Sequence, residues 1–352
     1  MPVPTRHVCL VVIARDEAAR IGRLLDSVVP WVDEMLVLDT GSSDDTVAVA
    51  RRAGARVEHF TWCDDFAAAR NAALAAAGAD WHLVLDADEW LIDGGPALRA
   101  LAQRAPDFVG AVHLEDRFFD GAFRTAHIDI SRVLPGPLRY AGRVHEQPVH
   151  RLPVHPLPLR VGHDGYLPEQ LAVKRGRNRA LLLAEMAGRN DDAYLWYQLG
   201  KDHAVYAEHL EAGDCFARAA LGVEAAAPWR HDLAARALYS MKCAGRHAAA
   251  VAYGEAQLAA CAESPDFFFA LGDLLLDWAA DEPSRGEALL PMIEAAWTRC
   301  LEIGEAPALH GAVAGRGSVL AAHNLAVVYE GLGRHADAQA LRDAYLTPSQ
   351  QA

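Results

Sequence analysis

An α/β domain with a largely parallel sheet, followed by an all-α domain of helical repeats, is the fold class that this 352-residue sequence predicts. Three observations carry it. Short apolar runs alternate with helical periodicity over the first 90 residues, a Pro-, Gly-, His- and aromatic-rich stretch follows from about Pro96 to Tyr166, and alanine-rich helical sequence fills the rest. The length suits two domains of roughly 100–200 residues each. A composition of 52% hydrophobic and 23% charged residues supports a sizeable core and excludes disorder as the dominant state.

Taken in order, Val8 to Ile13 is a nearly continuous apolar run, as expected of a strand buried on both faces. Glu17 to Val29 carries Ile21, Leu24, Leu25 and Val28 at helical spacing, and Pro30 closes it. Met35 to Leu38 reads as a second strand. Asp44 to Ala53 reads as a helix, with Ser42 or Ser43 as its N-cap and Asp44 and Asp45 favourable in its first turn. Arg56 to Phe60 is a third strand, Phe66 to Ala77 a helix and Trp81 to Leu85 a fourth strand. Such alternation predicts a largely parallel sheet. From Pro96 to Tyr166 the apolar runs shorten, as at Gly110 to Leu114, and the stretch reads as an irregular half that completes the sheet and builds a pocket.

Beyond about Pro168, Trp196, Leu199, Gly200, Ala212, Phe216 and Ala219 fall at relative positions 4, 7, 8, 20, 24 and 27. That is tetratricopeptide spacing, in which small residues let two antiparallel helices approach and large ones fill between them. Weaker copies follow around Leu238, Gly245 and Ala250, at Phe268, Leu271 and Gly272, and at Leu325, Ala326, Tyr329, Gly333 and Ala338. An ordinary helical bundle is the alternative.

The charge balance, 33 Lys plus Arg against 47 Asp plus Glu for a net −14, argues against a nucleic-acid binder or a protein held on anionic lipid. No apolar stretch reaches the 18 residues of a membrane span. MPVPTRH leads directly into a strand-like run without a signal peptide's long apolar region, and the six cysteines form no CxxC pair. The expectation is a soluble, cytoplasmic protein.

Two acidic clusters follow predicted strands: Asp39 to Thr46 (DTGSSDDT) and Asp86 to Glu89 (DADE). Ligands of an open parallel sheet bind at the carboxyl ends of its strands, so both clusters are expected on one edge. Asp86 and Asp88, one residue apart in an extended segment, face one side about 7 Å apart. Hard oxygen donors so placed suit Mg²⁺ or Mn²⁺. A solvated loop is the alternative. His145-Glu146-Gln147-Pro148-Val149-His150 is not a zinc-protease helix, because its second histidine is one place too far and Pro148 would break the helix.

In combination, VVIARDEAARIGRLLDSV, VLDTGSSDDT and WCDDFAAARNAALAAAGADWHLVLDADEWL resemble the family 2 glycosyltransferases, densely over about residues 6–92 and more thinly through YAGRVHEQP and HDGYLPEQLAVKRGRNRALL. The helical tail adds a resemblance to the branch with tetratricopeptide-like domains, which includes SunS-type peptide glycosyltransferases and cell-surface glycan enzymes. The resemblance implies a GT-A domain over residues 1–168 and a tetratricopeptide-like domain over 169–352. Asp16 and Asp45 depart from the family pattern, where asparagine and glycine are commoner.

Position by position, the resemblance implies that Asp39 accepts a hydrogen bond from the donor base and that Ala14, Arg15 and Glu17 line base and ribose. Gly41, Ser42, Asp44 and Ala87 fall on the donor side with them. Arg70 and Asn71 would steady the acidic loop or the ribose and diphosphate. Asp86 would reach the ribose or a metal-bound water, and Asp88 would be the main ligand of Mg²⁺ or Mn²⁺. His163 is either a further metal ligand or a structural histidine. Arg143, His145 and Glu146 fall where the acceptor side closes; Glu146 is the first candidate for general base, with Glu115 and Asp116 in reserve. The implied activity is a metal-dependent inverting transfer from a nucleotide-diphosphate sugar, normally UDP-hexose, to a peptide Cys or Ser side chain or a saccharide. The helical domain would orient the acceptor or make a homodimer. A rival reading is a tetratricopeptide scaffold carrying a degenerate sugar-nucleotide domain.

Overall fold

The first apolar run forms β1 (Val8–Ala14), with six of its seven residues buried. Alternate residues enter two cores, Leu10 and Val12 on one face and Cys9 and Val11 on the other. β2 (Glu34–Asp39), β3 (Arg56–His59) and β4 (Trp81–Val84) join it in parallel, in the order β3-β2-β1-β4. The strand order therefore reverses at β1, and the crevice beyond the carboxyl ends of β1, β2 and β4 is where such a sheet binds ligands. The connecting helices are α1 (Ile21–Val28), α2 (Thr46–Arg52) and α3 (Phe66–Ala77). α1 buries Ile21, Leu24, Leu25 and Val28, its predicted stripe. α3 opens on Asp65, whose carboxylate accepts from the Ala68 N–H, and closes on Gly78 at φ +57°, a left-handed cap that glycine adopts at low cost.

The computed structural model describes residues 5–119, 123–166 and 176–346. After β4 come β5 (Glu89–Asp93), α4 (Gly95–Leu101), β6 (Val109–Phe119), β7 (Phe123–Pro135), β8 (Arg139–Ala141), β9 (Gln147–Val149), β10 (Val154–Tyr166) and α5 (Arg177–Met186). The sheet continues β4-β7-β6-β10-β5, with β7 antiparallel to β4 and β6, β10 parallel to β6 and β5 antiparallel to β10. The expectation of a largely parallel sheet thus holds for β1 to β4 and fails beyond them; the sheet is mixed. The stretch expected to be irregular contains strands of 11, 13 and 13 residues. They escape a search for apolar runs because one face is polar: His113 and Glu115 on β6 stand opposite Asp129 and His127 on β7.

The chain divides into two compact units, Met1–Ala187 and Gly188–Ala352. The boundary expected at 168/169 lies outside the described residues. The second unit is a run of helices: α6 (Ala193–Val205), α7 (His209–Gly222), α8 (Arg230–Cys243), α9 (His247–Gln257), α10 (Pro265–Asp281), α11 (Gly286–Ile303), α12 (Val319–Gly331) and α13 (His335–Tyr345). The repeat spacing has a direct steric meaning here. A Cβ on Gly200 would stand 2.5 Å from the Phe216 ring, and one on Gly272 2.5 Å from the Trp297 indole. Ala212, Phe216 and Ala219 are fully buried against this approach.

Candidate active site

Two loops at the ends of β1 and β2 are locked together. Asp16, at φ +55°, accepts through Oδ1 from the Ser43 N–H and hydroxyl and from the Asp44 N–H. In return its own N–H donates to Ser42 Oγ, and the Glu17 N–H donates to Thr46 Oγ1. A short acidic side chain tolerates the left-handed region and makes such local bonds. Asp44, just before α2, accepts from the Thr46 N–H at 2.9 Å and from the Ala18 N–H at 3.1 Å. Neither Ser42 nor Ser43 caps α2, because both serines are turned to Asp16; the N-cap is Asp45, whose side chain makes no capping bond. Asp44 and Glu17 are committed inside the loops, the latter through Arg20. Arg15 is exposed beside Asp16 at 3.9 Å.

Asp39 ends β2 and is 4% exposed. Its carboxylate accepts from the Gly41 and Ser42 N–H groups and lies 3.3 Å from His59 Nδ1. Burial raises its pKa, but the bonds from Ser42, His59 and Gly41 outweigh burial and hold it below the ordinary range. Beside it a groove of about 330 Å³ is lined by Asp39, Thr40, Gly41, His59, Phe60, Thr61 and Trp62. An anionic acceptor next to aromatic side chains in a groove of this size suits a planar heterocycle with an N–H.

The second cluster is knit by two arginines. Arg70, from the middle of α3, donates through Nε to Glu146 Oε1 and through Nη2 to Asp86 Oδ1, the latter at 2.6 Å. Arg132, from β7, donates through Nη2 to Asp86 Oδ2 at 2.8 Å and to Glu89 Oε1 at 2.5 Å. Burial works against charge on Asp86, but the two guanidinium groups hold it well below the usual carboxylate range. Glu89, almost fully buried, is pushed up to about 7, burial outweighing Arg132. Asn71 fastens β8 to α3 by donating to the Tyr140 carbonyl and accepting from the Tyr140 N–H. The turn between β8 and β9 then delivers Glu146 to Arg70, with Gly142 at φ +101° and His145 at φ +51°.

The structure thus brings Arg70, Asp86 and Glu146 together. Both oxygens of Asp86 are engaged by arginine, with the side chain 34% exposed to the crevice. Glu146, with its side chain 7% exposed, is tied to Arg70. Arg143 is exposed, and its backbone is what the site uses: its N–H donates to Glu185 and its carbonyl accepts from the Phe66 N–H. Arg132 was missed, because its link to Asp86 and Glu89 arises only from the pairing of β7 with β4.

Ala87 and Asp88 lie buried between β4 and β5, and the Asp88 Oδ2 is 3.6 Å from His163 Nε2. His163 Nδ1 lies 2.5 Å from Asp116 Oδ1. Burial lowers the His163 pKa, yet Asp116 and Asp88 raise it well above the ordinary imidazole value. Among the described residues no group of three His, Cys, Asp or Glu side chains is placed to hold a metal ion. Asp88 and His163 do fit Mg²⁺ or Mn²⁺ as a pair of donors, since these ions keep waters and take phosphate oxygens as their remaining ligands. The neighbouring cluster suits the anionic partner: Arg70 Nη1, Arg132 Nε and the Tyr140 hydroxyl are buried donors without an acceptor among the described residues.

Residues 9–137, which hold most of this crevice, match the family model Glycosyl transferase family 2. The N-terminal unit is thus a family 2 glycosyltransferase domain of GT-A type, joined to a tetratricopeptide-like helical unit. The glycosyltransferase SunS of Bacillus subtilis is 29% identical over 182 residues, 49% of this chain and 43% of that protein. A TPR repeat-containing protein of Synechococcus elongatus is 59% identical over 86 residues, 24% of this chain and 21% of its own. Glucosyl-3-phosphoglycerate synthase from Mycobacterium tuberculosis, solved with Mn²⁺, uridine diphosphate and glucosyl-3-phosphoglycerate, is 28% identical where it covers 33% of this chain and 45% of that one, with a TM-score of 0.26. The chain spans less than half the length of each of these relatives. Among the described residues no helix is long and apolar enough to cross a membrane.

Proposed function

We propose that the chain is a metal-dependent inverting glycosyltransferase that moves a sugar from a nucleotide diphosphate, UDP-hexose by preference, to a peptide side chain or a saccharide. The observation that supports it most is the convergence, beyond the carboxyl ends of β2 and β4, of a groove closed by Asp39, the Asp88–His163 donor pair and the arginine cluster. A degenerate scaffold domain has no need of all three. In this reading Asp39 accepts the N–H of the base, and Asp88 and His163 hold the cation. When bound, the cation neutralises charge on the leaving diphosphate as a Lewis acid. Arg70 and Arg132 keep Asp86 ionised and the floor of the crevice rigid, and Glu146 fixes the angle of Arg70.

Calorimetry with uridine diphosphate and Mn²⁺ tests the reading. Binding is expected to weaken with EDTA and to be largely abolished in Asp88→Ala; equal binding by that variant would remove Asp88 from the ligand set. Glu146→Gln separates bracing from base catalysis. Bracing predicts that donor binding falls together with transfer, whereas a base would lose 10²–10⁴-fold in transfer with donor affinity intact.

A further inference from the structure

β10 runs between β6 and β5, and its register places His163 opposite Asp116 on one side and Glu89 on the other. The imidazole is held along its length: Nδ1 lies 2.5 Å from Asp116 Oδ1 and Nε2 lies 3.6 Å from Asp88 Oδ2. The two carboxylates are 8% and 7% exposed, so water competes little for either. Glu115, the preceding residue on β6, lies on the opposite face and pairs with Arg160 at 2.7 Å. Asp116 is therefore the β6 carboxylate that reaches this ring.

Resting on the metal-dependent reading above, we propose that Asp116 is the positioning residue of the cation site: it holds His163 Nδ1–H so that Nε2 faces Asp88. An imidazole offers a cation one nitrogen, and the hydrogen bond made by the other nitrogen sets both tautomer and ring orientation. Strand register supplies that bond from a neighbouring backbone, so the ring is oriented before any ligand arrives. This role takes Asp116 out of the reserve for general base.

The test is the affinity of the full chain for Mn²⁺ in the presence of saturating uridine diphosphate, read from the electron paramagnetic resonance of free Mn²⁺. Asp116→Ala is expected to weaken Mn²⁺ binding by about 10–100-fold. Asp116→Asn should lose less, because its amide oxygen still accepts from Nδ1–H. Adding Asp116→Ala to His163→Ala should cost nothing beyond His163→Ala alone. Losses that multiply in the double variant, or unchanged Mn²⁺ affinity in Asp116→Ala, would overturn the proposal. Metal-free binding of uridine diphosphate should stay unchanged, which a general structural defect would not allow. If Asp116→Ala does not fold, ¹⁵N-histidine spectra of the unaltered protein with Mg²⁺ and uridine diphosphate decide: His163 protonated at Nδ1 supports the proposal, and protonation at Nε2 alone rejects it. An unaltered protein that binds no Mn²⁺ would remove the metal-dependent reading as well. A loss in His163→Ala with Asp116→Ala intact would remove the positioning role alone.

Discussion

In the α/β unit, Asp86, Glu89 and Glu146 share two arginines that come from α3 and β7, far apart in sequence. In the helical unit, Asp232 meets Arg236 one turn along its own helix together with the Tyr197 hydroxyl, and Asp266 meets Arg316 and the Val313 N–H. Three carboxyl groups share two cations in the first cluster, and Glu89, pushed up to about 7 by burial, holds its proton more readily than Asp86; each buried carboxylate of the second has an arginine of its own. The first arrangement is a poor source of stability, since buried ion pairs recover their desolvation only when every member is matched. What it provides is a crevice floor that depends on all its members at once. The helical unit instead gains its stability from close approach, glycine against aromatic ring, with charge used locally.

Removing one arginine from each unit breaks the comparison most sharply. Arg70→Met strands Glu146, whose side chain is 7% exposed, and leaves Asp86 with Arg132 alone; it is expected to cost about 3–5 kcal/mol. Arg236→Met should cost about 1 kcal/mol or less, because Arg236 is 37% exposed and Tyr197 still donates to Asp232. Hydrogen exchange read separately for peptides of each unit measures both. Comparable losses would mean that the shared network carries no cooperative weight.

The same contrast explains what could be read in the sequence. β1, β2 and β4 were legible because burial on both faces makes a strand a continuous apolar word, and Asp39, Asp86 and Asp88 were legible because they end such strands. The repeat was legible from Gly200, Ala212, Phe216 and Ala219, since helix contacts are local in sequence. The long strands β6, β7 and β10 alternate polar and apolar residues, and β10 carries Pro156 and Pro158, so they read as loop. Arg132 was hidden for a related reason. Its partners lie 46 and 43 residues away, and only the antiparallel return of β7 joins them.

A pH titration sharpens the comparison from the side of burial. His82 on β4 has no exposed surface, and its Nε2 accepts from the Ala79 N–H at 3.3 Å. Burial, aided by the charges of Arg139 and His7, lowers its pKa from 6.5 to about 4. The unfolded chain then takes up a proton below about pH 6.5 that the folded chain refuses until about pH 4. The stabilisation is complete above about pH 6.5 and is lost as pH falls through that window, amounting to about 3 kcal/mol. His82→Gln should flatten this part of the stability profile of the α/β unit, read by hydrogen exchange at fixed intervals of pH. His209 and His231 of the helical unit are lowered too, mainly by burial, but they are only half-buried and should contribute less.

Within the helical unit, close approach is itself testable. Gly272→Val places two methyl groups where even a Cβ would meet Trp297, and overpacking of this kind costs about 1–3 kcal/mol. The midpoint of unfolding followed by the circular dichroism of the helices should fall accordingly. An unchanged midpoint would show that Trp297 can move aside and that the glycine is not a steric requirement.

The smallest effect tests whether the repeats are equivalent at their turns. Gly245 between α8 and α9 has φ +68° and Gly333 between α12 and α13 has φ +72°, while the turn between α6 and α7 holds Ala207 at φ +58°. A Cβ in the left-handed region costs roughly 1–2 kcal/mol, so alanine is strained at a place where two other pairs use glycine. Ala207→Gly relieves that strain but adds about 0.4–1 kcal/mol of unfolded-chain entropy. The balance is a gain of about 0.5 kcal/mol, seen as slower hydrogen exchange in α6 and α7 alone. A loss on substitution would mean that the Ala207 methyl makes a contact worth more than its strain, and that this turn departs from the other two for a reason of packing.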